Sequence, residues 1–271
     1  MQARIWRVQR RDIVVLTLNA VALMSTLGAV GEGGRRRAKE MVCQANLHQW
    51  STVFQGYIQR NDGKFFSGEK GTPGYWWVEE LDTEHRDWKR MRIWFCPQAD
   101  KPIVDEGGRM ASTLSIFNAW GIYNSPGLEP SGVSGSYGIN GYLLCISDKM
   151  SYEGGVPASQ SWRDILNVTN ADRVPMFTDA LRFDLWPLET SSPAPNQWAA
   201  WTGNSMQRCC INRHNGGVSC LFVDGSVRKV GLKELWTLKW HKSFDTAGPW
   251  TTAGGVLPGD WPAWMRDFRD Y

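Results

Sequence analysis

The chain has 271 residues, 42% of them hydrophobic, and a formal net charge of +3. A chain of this length and apolar content can bury a sizeable core, which favours an ordered globular protein over a disordered one. The basic residues are spread along the sequence, so no nucleic-acid partner is predicted. The 16 tryptophans show no repeat period and are typical of cores and subunit interfaces first, and of sugar-binding surfaces second.

The N-terminal segment has a basic start followed by an apolar run from Ile13 to Val30. This run is close to the lower limit for a membrane span, which needs about 20 residues. Glycines within residues 31–34 are expected to interrupt the helix after this apolar run. Residues 1–34 are therefore predicted to be a basic leader and the membrane-anchoring half of a long helix. This assignment places the rest of the chain outside the cytoplasm, in the cell envelope.

Residues 35–62 are predicted to form the amphipathic second half of this helix. Apolar residues recur there at spacings near three and four, which is the pattern of one helical face. A turn at Gln59–Gly63 is expected to end the helix. The face used for helix packing and assembly is predicted to contain Val42, Leu47, Trp50 and Phe54.

Residues 63–271 are predicted to form a loop-rich α+β head. Proline cannot donate to a strand ladder from within a sheet, so Pro175 indicates an edge or the start of a strand. Strands are expected at Arg92–Phe95, Ser136–Leu144 and Arg173–Ala180.

The rest of the head is predicted to be a helix, two insertions and a packed tail. The helix is expected at Leu232–His241, with His241 as a cation in its last turn, where it would suit the helix dipole. Residues 98–135 and 182–207 are interpreted as irregular insertions. The tail, residues 248–271, is too aromatic for a disordered end, so it is expected to pack on the head or on a neighbouring subunit.

A strong hairpin signal lies in the C-terminal part of the head. Two β-prone runs, Val218–Val223 and Ser226–Val230, are separated by Asp224 and Gly225. An Asp-Gly pair is typical of a two-residue type I′ turn, because both central residues of that turn need a positive φ. Such a turn would place Phe222 opposite Val227.

His214 is followed by nine residues and then by Asp224 and Gly225. A structural histidine, bonded to a backbone group or to a turn carboxylate, is favoured over a catalytic or metal-binding one. Metal sites gather three or four ligands at recognisable spacing, and no such set is found. The loop residues Asp62, Asp224 and Asp245 fit no recognised calcium loop. The chain is therefore expected not to be an enzyme, and no catalytic residue, metal or cofactor is predicted.

These features together resemble a family of pilin-like proteins. The apolar N-terminal run, the segment Ala38–Leu47 and the spacing from His214 to Asp224 and Gly225 are similar to those of proteins abundant in planctomycete-type bacteria. Those proteins belong to the superfamily of type IV pilins and type II secretion pseudopilins, and they carry a prepilin-type helix and a C-terminal "His, nine residues, Asp-Gly" domain. Arg7 and Val8 stand where the family has its processing Gly and Phe. Cleavage by a prepilin peptidase, an uncleaved anchor and a twin-arginine export signal are therefore alternatives.

The resemblance implies a pilin-like α+β fold, in which a long N-terminal helix packs on an antiparallel β-sheet with loop-rich insertions. It implies a non-catalytic structural subunit of a type IV pilus-like or type II secretion-like assembly. The implied partners are copies of itself or homologous pilin-like subunits, and the inner membrane through the N-terminal helix. The implied location is the cell envelope or an extracellular filament. Cys43 and Cys96 stand where the family commonly has cysteines, which implies a disulfide between them.

Two other functions remain as hypotheses. The first is a membrane-anchored binding protein outside the cytoplasm that uses exposed tryptophans for glycans. The second is an exported hydrolase that uses His214 with Asp224.

Overall fold

The structure is a computed structural model that describes residues 31–67, 76–104, 110, 114–122, 132–146, 150–153 and 156–271. The chain divides into two units, residues 1–38 and 39–271. The predicted leader and apolar run, residues 1–30, lie outside the described residues. Within the described ranges, no helix combines the length and the apolar character that crossing a membrane requires.

The long helix α1 spans Glu32–Arg60 and contains 29 residues. It agrees closely with the predicted segment 35–62 and also includes Gly33 and Gly34. The predicted interruption between this helix and the apolar run stays a prediction, because that run lies outside the described residues. The predicted end is confirmed. Asp62 and Gly63 have φ values of 55° and 80°, and the Gly63 N–H donates to the Ile58 carbonyl at 2.9 Å. A left-handed residue after the last helical turn, together with a hydrogen bond from residue i+5 to the carbonyl of residue i, is a Schellman motif. It gives a donor to a carbonyl that would otherwise be free at the helix end.

The buried face of α1 differs from the predicted face at one position. Leu47, Trp50 and Phe54 are fully buried, whereas Val42 is 50% exposed and so does not share their buried face. The assignment of these residues to assembly stays a prediction. The apolar pattern alone did not define the whole buried face, because several of the buried side chains are polar. The buried side chains are Cys43, Asn46, Leu47, Trp50, Ser51, Phe54, Tyr57 and Ile58.

Among the described residues, the helices other than α1 are short, and so are most of the strands. Three further α-helices lie in these ranges: α2 (Trp76–Glu79), α3 (Thr83–Arg86) and α4 (Ser205–Cys209). The strands are β1 (Lys101–Pro102), β2 (Asn118–Ala119), β3 (Tyr137–Asn140), β4 (Tyr152–Glu153), β5 (Val156–Pro157), β6 (Pro175–Asp179), β7 (Asp184–Leu185), β8 (Gly217–Phe222) and β9 (Val227–Gly231).

Two predicted elements are 3-10 turns instead. The segment predicted as a strand at Arg92–Phe95 forms a single turn over Arg92–Trp94, closed by a bond from the Phe95 N–H to the Arg92 carbonyl at 3.1 Å. The predicted helix at Leu232–His241 is a 3-10 helix over Lys233–Thr237. It stops because the next residues are extended, and the Lys239 N–H donates to the Arg173 carbonyl at 2.9 Å.

A five-stranded sheet in the order β7-β3-β6-β8-β9 organises the head. The predicted α+β class is confirmed, and β3 and β6 lie inside the predicted strands, with Pro175 at the start of β6 as expected. The expectation of a wholly antiparallel sheet is wrong at β7, which runs parallel to β3. The reason is geometric. The chain reverses after β6, and β3 is already antiparallel to β6, so β7 runs in the same direction as β3.

The β8–β9 hairpin is confirmed, but its turn is one residue longer than predicted. Leu221 pairs with Val227, so the loop consists of Val223, Asp224 and Gly225. Gly225 has a φ of 87°, and its N–H donates to the Phe222 carbonyl at 3.0 Å. This is the pattern of a three-residue hairpin loop, in which a type I turn is followed by a left-handed residue. The predicted type I′ turn and the pairing of Phe222 with Val227 are therefore wrong.

An aromatic core fills the space between α1 and the sheet. Trp50 lies 4.8 Å from Trp94 and 5.3 Å from Phe177 of β6, measured between ring centroids. The aromatic tail packs on the head, which is one of the two predicted positions. Trp261 is buried, and the Trp264 indole donates to the Ala194 carbonyl at 2.8 Å.

Candidate functional site

A cluster of chemically reactive side chains lies where α1 meets the sheet. Cys43 comes from α1, Cys96 from the segment after the Arg92–Trp94 turn, Asp179 from the end of β6, and His214 from the approach to β8. One ligand-type atom from each of the four lies within 4.8 Å of the others, and all four side chains are buried. These four residues are called the Cys-Asp-His cluster below.

The backbone around the cluster holds each member in place. The Cys96 N–H donates to the Ser136 hydroxyl at 2.5 Å, which fixes this segment against the start of β3. The Asp179 carboxylate accepts the Ser219 N–H of β8 at 2.8 Å. The His214 N–H donates to the Gly217 carbonyl at 3.1 Å. The segment between His214 and β8 bends sharply, because the two residues in it, Asn215 and Gly216, have φ values of 51° and 88°.

The His214 ring uses one nitrogen for both of its acidic neighbours. Its Nε2 lies 3.1 Å from Oδ2 of Asp179 and 3.4 Å from Sγ of Cys96. Its Nδ1 lies 3.1 Å from the Gln98 amide. On the other side of the cluster, Sγ of Cys43 lies 3.7 Å from Oδ2 of Asp179 and 3.2 Å from the Tyr137 hydroxyl.

The pKa values in the cluster follow from burial and from these contacts. Burial acts to lower the pKa of His214, yet the Asp179 carboxylate and the Cys96 thiol raise it to about 10. Burial acts to raise the pKa of Asp179, but His214, Arg213 and the Ser219 N–H lower it below its usual value. For Cys96, the effect of burial is outweighed by bonds from Cys43 and His214, and its pKa is lowered.

Cys43 is the exception, because burial and its acidic neighbours raise the pKa of its thiol well above the usual value. At neutral pH the cluster therefore holds an Asp179 carboxylate and a His214 imidazolium, and of the two cysteines Cys96 is the one whose pKa is shifted toward the thiolate. The Arg213 guanidinium, 3.4 Å from Asp179, adds a second positive charge. The buried Asp179 carboxylate is thus paired with two cationic side chains, and pairing of this kind is what allows a charge to be buried in a core.

Arg213 is held by the backbone as well as by Asp179. Its nitrogens donate to the carbonyls of Ile116 at 2.6 Å, Ser136 at 2.6 Å and Asn118 at 2.8 Å. An arginine whose donors meet this many acceptors is fixed in orientation, so its charge stays directed at Asp179.

The cluster does not have the geometry of a cysteine-histidine-aspartate hydrolase. In such a triad the nucleophile and the carboxylate bond to opposite nitrogens of the histidine. Here Cys96 and Asp179 contact the same Nε2, and the thiol is fully buried.

The predicted pair of His214 and Asp224 is not brought together. The Asp224 carboxylate accepts hydrogen bonds from the Ser226 N–H at 2.9 Å and from the Ser226 hydroxyl at 2.6 Å, so it stabilises its own turn. His214 bonds to Asp179 instead. The structural interpretation expected a backbone group or a turn carboxylate as the partner of His214; the carboxylate beside its ring belongs instead to Asp179 of β6.

The predicted cysteine pair is brought together in space. Cys43 and Cys96 belong to the same cluster, and both are free thiols in the structure. The disulfide itself stays a prediction.

Most tryptophans for which burial is described serve the core. Fully buried examples are Trp50, Trp77, Trp94, Trp120, Trp236, Trp240 and Trp261. Within the insertion 182–207, Trp198 is 58% exposed, while Trp186 and Trp201 pack against the core. The surface for glycan stacking that these residues offer is therefore small.

Sequence reasoning missed Asp179, Arg213, Tyr137 and Gln98. One signal was available, because Asp179 lies near the end of the mostly apolar run Val174–Ala180, and an aspartate inside a core strand is almost always paired. The identity of its partners was not visible, since they come from distant segments.

Comparison of the chain with known protein families, with curated proteins and with solved structures found no match. The interpretation of function therefore rests on the residues and geometry described above.

Proposed function

We propose that this chain is a non-catalytic, pilin-like structural subunit that assembles with copies of itself or with homologous subunits in the cell envelope. The observation that carries the proposal is the uneven burial of α1. From Cys43 to Ile58 the helix buries one continuous face, whereas the side chains of residues 32–39 are exposed. The later part of α1 would thus pack inside the head, and the earlier part would remain accessible to other subunits.

Apolar side chains at the boundary support this division. Met41 is 70% exposed and Val42 is 50% exposed, although the helix could have carried polar residues there. Leu47, Trp50 and Phe54 are used inside the head, so they are not available for contacts between subunits. Assembly through α1 is therefore assigned to the helix surface up to and including Val42.

The two other hypotheses have less support. A hydrolase would need a reactive group that substrate can reach, and the Cys-Asp-His cluster is buried. A glycan-binding protein would need several exposed aromatic rings in one place. Among the tryptophans whose burial is described, Trp198 alone is substantially exposed.

The test is a charge placed on the exposed part of α1. Val42→Glu is expected to leave folding unchanged and to reduce recovery of the chain in envelope assemblies, measured by chemical cross-linking in the native host. Thr52→Glu is the matched control, because Thr52 is also exposed on α1 and receives the same charge. Equal cross-linking of Val42→Glu and wild type would contradict the proposal, as would an equal loss in both variants.

A further inference from the structure

The Cys-Asp-His cluster brings together two thiols, one imidazole and one carboxylate from four separate segments of the chain. We propose that Cys43, Cys96, Asp179 and His214 bind one zinc ion at the junction of α1 and the sheet. Thiolate and imidazole are ligands that zinc prefers, and structural zinc sites have four protein ligands in a tetrahedron. The site is independent of whether the chain assembles.

The distances within the cluster suit this ion. Zinc bonds of about 2.0 to 2.3 Å place neighbouring ligand atoms of a tetrahedron about 3.3 to 3.8 Å apart. The separations are 3.1 Å between His214 and Asp179, 3.4 Å between His214 and Cys96, and 3.7 Å between Cys43 and Asp179. Small side-chain shifts would bring these atoms to the required edges.

The charges around the cluster also suit a divalent cation. Zinc bound by two thiolates, the Asp179 carboxylate and a neutral imidazole has a net charge of −1. The Arg213 guanidinium, 3.4 Å from Asp179, brings this to zero.

Residues around the cluster are placed as partners of the ligands. The Tyr137 hydroxyl lies 3.2 Å from Sγ of Cys43 and can donate to a thiolate. The Ser219 N–H and Arg213 bond to the Asp179 carboxylate. Nε2 of Gln98 lies 3.1 Å from Nδ1 of His214. A 180° rotation of this amide would place its oxygen there as the acceptor of an Nδ1–H, which leaves Nε2 of the histidine for the metal. Such partners orient metal ligands and raise their affinity.

A disulfide between Cys43 and Cys96 would use the same two sulfur atoms, so it is the direct competitor. It would account for the sulfur atoms but not for the orientation of His214, whose Nε2 faces Cys96 and Asp179 together. Zinc accounts for all four groups.

The experiment measures metal and thiols in the same sample. The full chain is purified without chelator, zinc is measured by elemental mass spectrometry, and the state of the cysteines is read from intact mass after alkylation under denaturing conditions. The expected result is about one zinc ion per chain, with Cys43 and Cys96 reduced. Replacement of zinc by Co²⁺ during refolding is expected to give the thiolate-to-cobalt absorption of a tetrahedral site.

Variants locate the ion. Cys43→Ser is expected to lower zinc retention at least about tenfold. Cys210→Ser is the matched control, because Cys210 is equally buried but lies outside the cluster, and its zinc content should equal that of wild type. If Cys43→Ser does not fold, Asp179→Asn and the cobalt spectrum of wild type decide the question.

Three results would overturn the zinc site. One is a metal-free chain with a Cys43–Cys96 disulfide, and another is a metal-free chain with reduced thiols after refolding with zinc. The third is bound zinc that is retained equally by Cys43→Ser and Cys210→Ser.

Discussion

Replacement of Trp50 by alanine tests whether α1 is held to the head by its own core. Trp50 is fully buried, and its ring lies within 6.0 Å of those of Phe54, Trp77, Trp94 and Phe177. Its indole N–H also donates to the Ile93 carbonyl at 2.8 Å. The substitution removes the ring contacts and the hydrogen bond together.

The expected magnitude follows from these two losses. A buried tryptophan removes about 200 Å² from water, which at about 25 cal/mol per Å² is worth about 5 kcal/mol. Measured losses for large aromatic residues changed to alanine are about 3–5 kcal/mol, and an unpaired buried carbonyl costs about 1 kcal/mol more. We therefore expect Trp50→Ala to lower the free energy of unfolding by about 4–6 kcal/mol. Trp50→Phe keeps most of the ring contacts and should lose about 2 kcal/mol.

The measurement is guanidinium chloride unfolding followed by far-ultraviolet circular dichroism, which does not depend on tryptophan emission. Trp198→Ala is the matched control, since Trp198 is 58% exposed and its loss should change stability by about 0.5 kcal/mol or less. A loss below about 1.5 kcal/mol for Trp50→Ala, or one equal to that of the control, would refute the packing of α1 on the sheet.

Two further predictions concern the hairpin turn and pH. A β-carbon at Gly225, which has a φ of 87°, would lie 2.5 Å from the Gln55 amide nitrogen, so Gly225→Ala should lower the free energy of unfolding by about 2 kcal/mol. Gly255→Ala is its control, because Gly255 has a φ of 86° with nothing within 4 Å; a loss as large there would show that contact with α1 contributes nothing. For His241, burial lowers the pKa from 6.5 to about 4, so the unfolded chain binds a proton first and stability falls as pH drops from 6.5 toward 4, by about 3 kcal/mol at most. The change should be smaller in His241→Gln in acid unfolding titrations, and identical pH slopes in both proteins would contradict a neutral, buried His241.

Local patterns in the sequence predicted the parts of the fold that depend on neighbouring residues. The end of α1 at Gly63 and the start of β6 at Pro175 follow from backbone preferences that act over two or three residues. The hairpin was predicted for the same reason. Its loop length was not, because Asp-Gly fits both a two-residue turn and the last two positions of a three-residue loop, and pairing with the rest of the sheet decides between them.

The candidate site could not be predicted because its members are local exceptions. Cys43 and Asn46 interrupt the apolar pattern of α1, and Asp179 ends an apolar strand. Taken alone, each is a polar residue in an apolar segment and gives no indication of a shared site. Their meeting depends on how α1 crosses the sheet, and this crossing is a property of the packed core. His241 illustrates the same limit, since a position expected to carry a charge at a helix end is instead buried and neutral.

The segment Arg92–Cys96 connects the aromatic core with the Cys-Asp-His cluster. Its carbonyls point alternately to the two sides: those of Ile93 and Phe95 accept from Trp50 and Asn46 of α1 at 2.8 and 2.9 Å, and that of Trp94 accepts from the Ser136 N–H beside β3 at 3.0 Å. These contacts give the carbonyls of the segment hydrogen-bond donors without a partner strand. This explains why the segment forms no β-strand although its residues are typical of one. It also joins α1 to the sheet by two independent attachments. The ring contacts of Trp50 depend on burial alone, whereas the contacts of Cys43 and Cys96 depend on what the thiols bind. The first attachment holds α1 at Trp50, and the second holds it at Cys43, about two turns closer to its N-terminus.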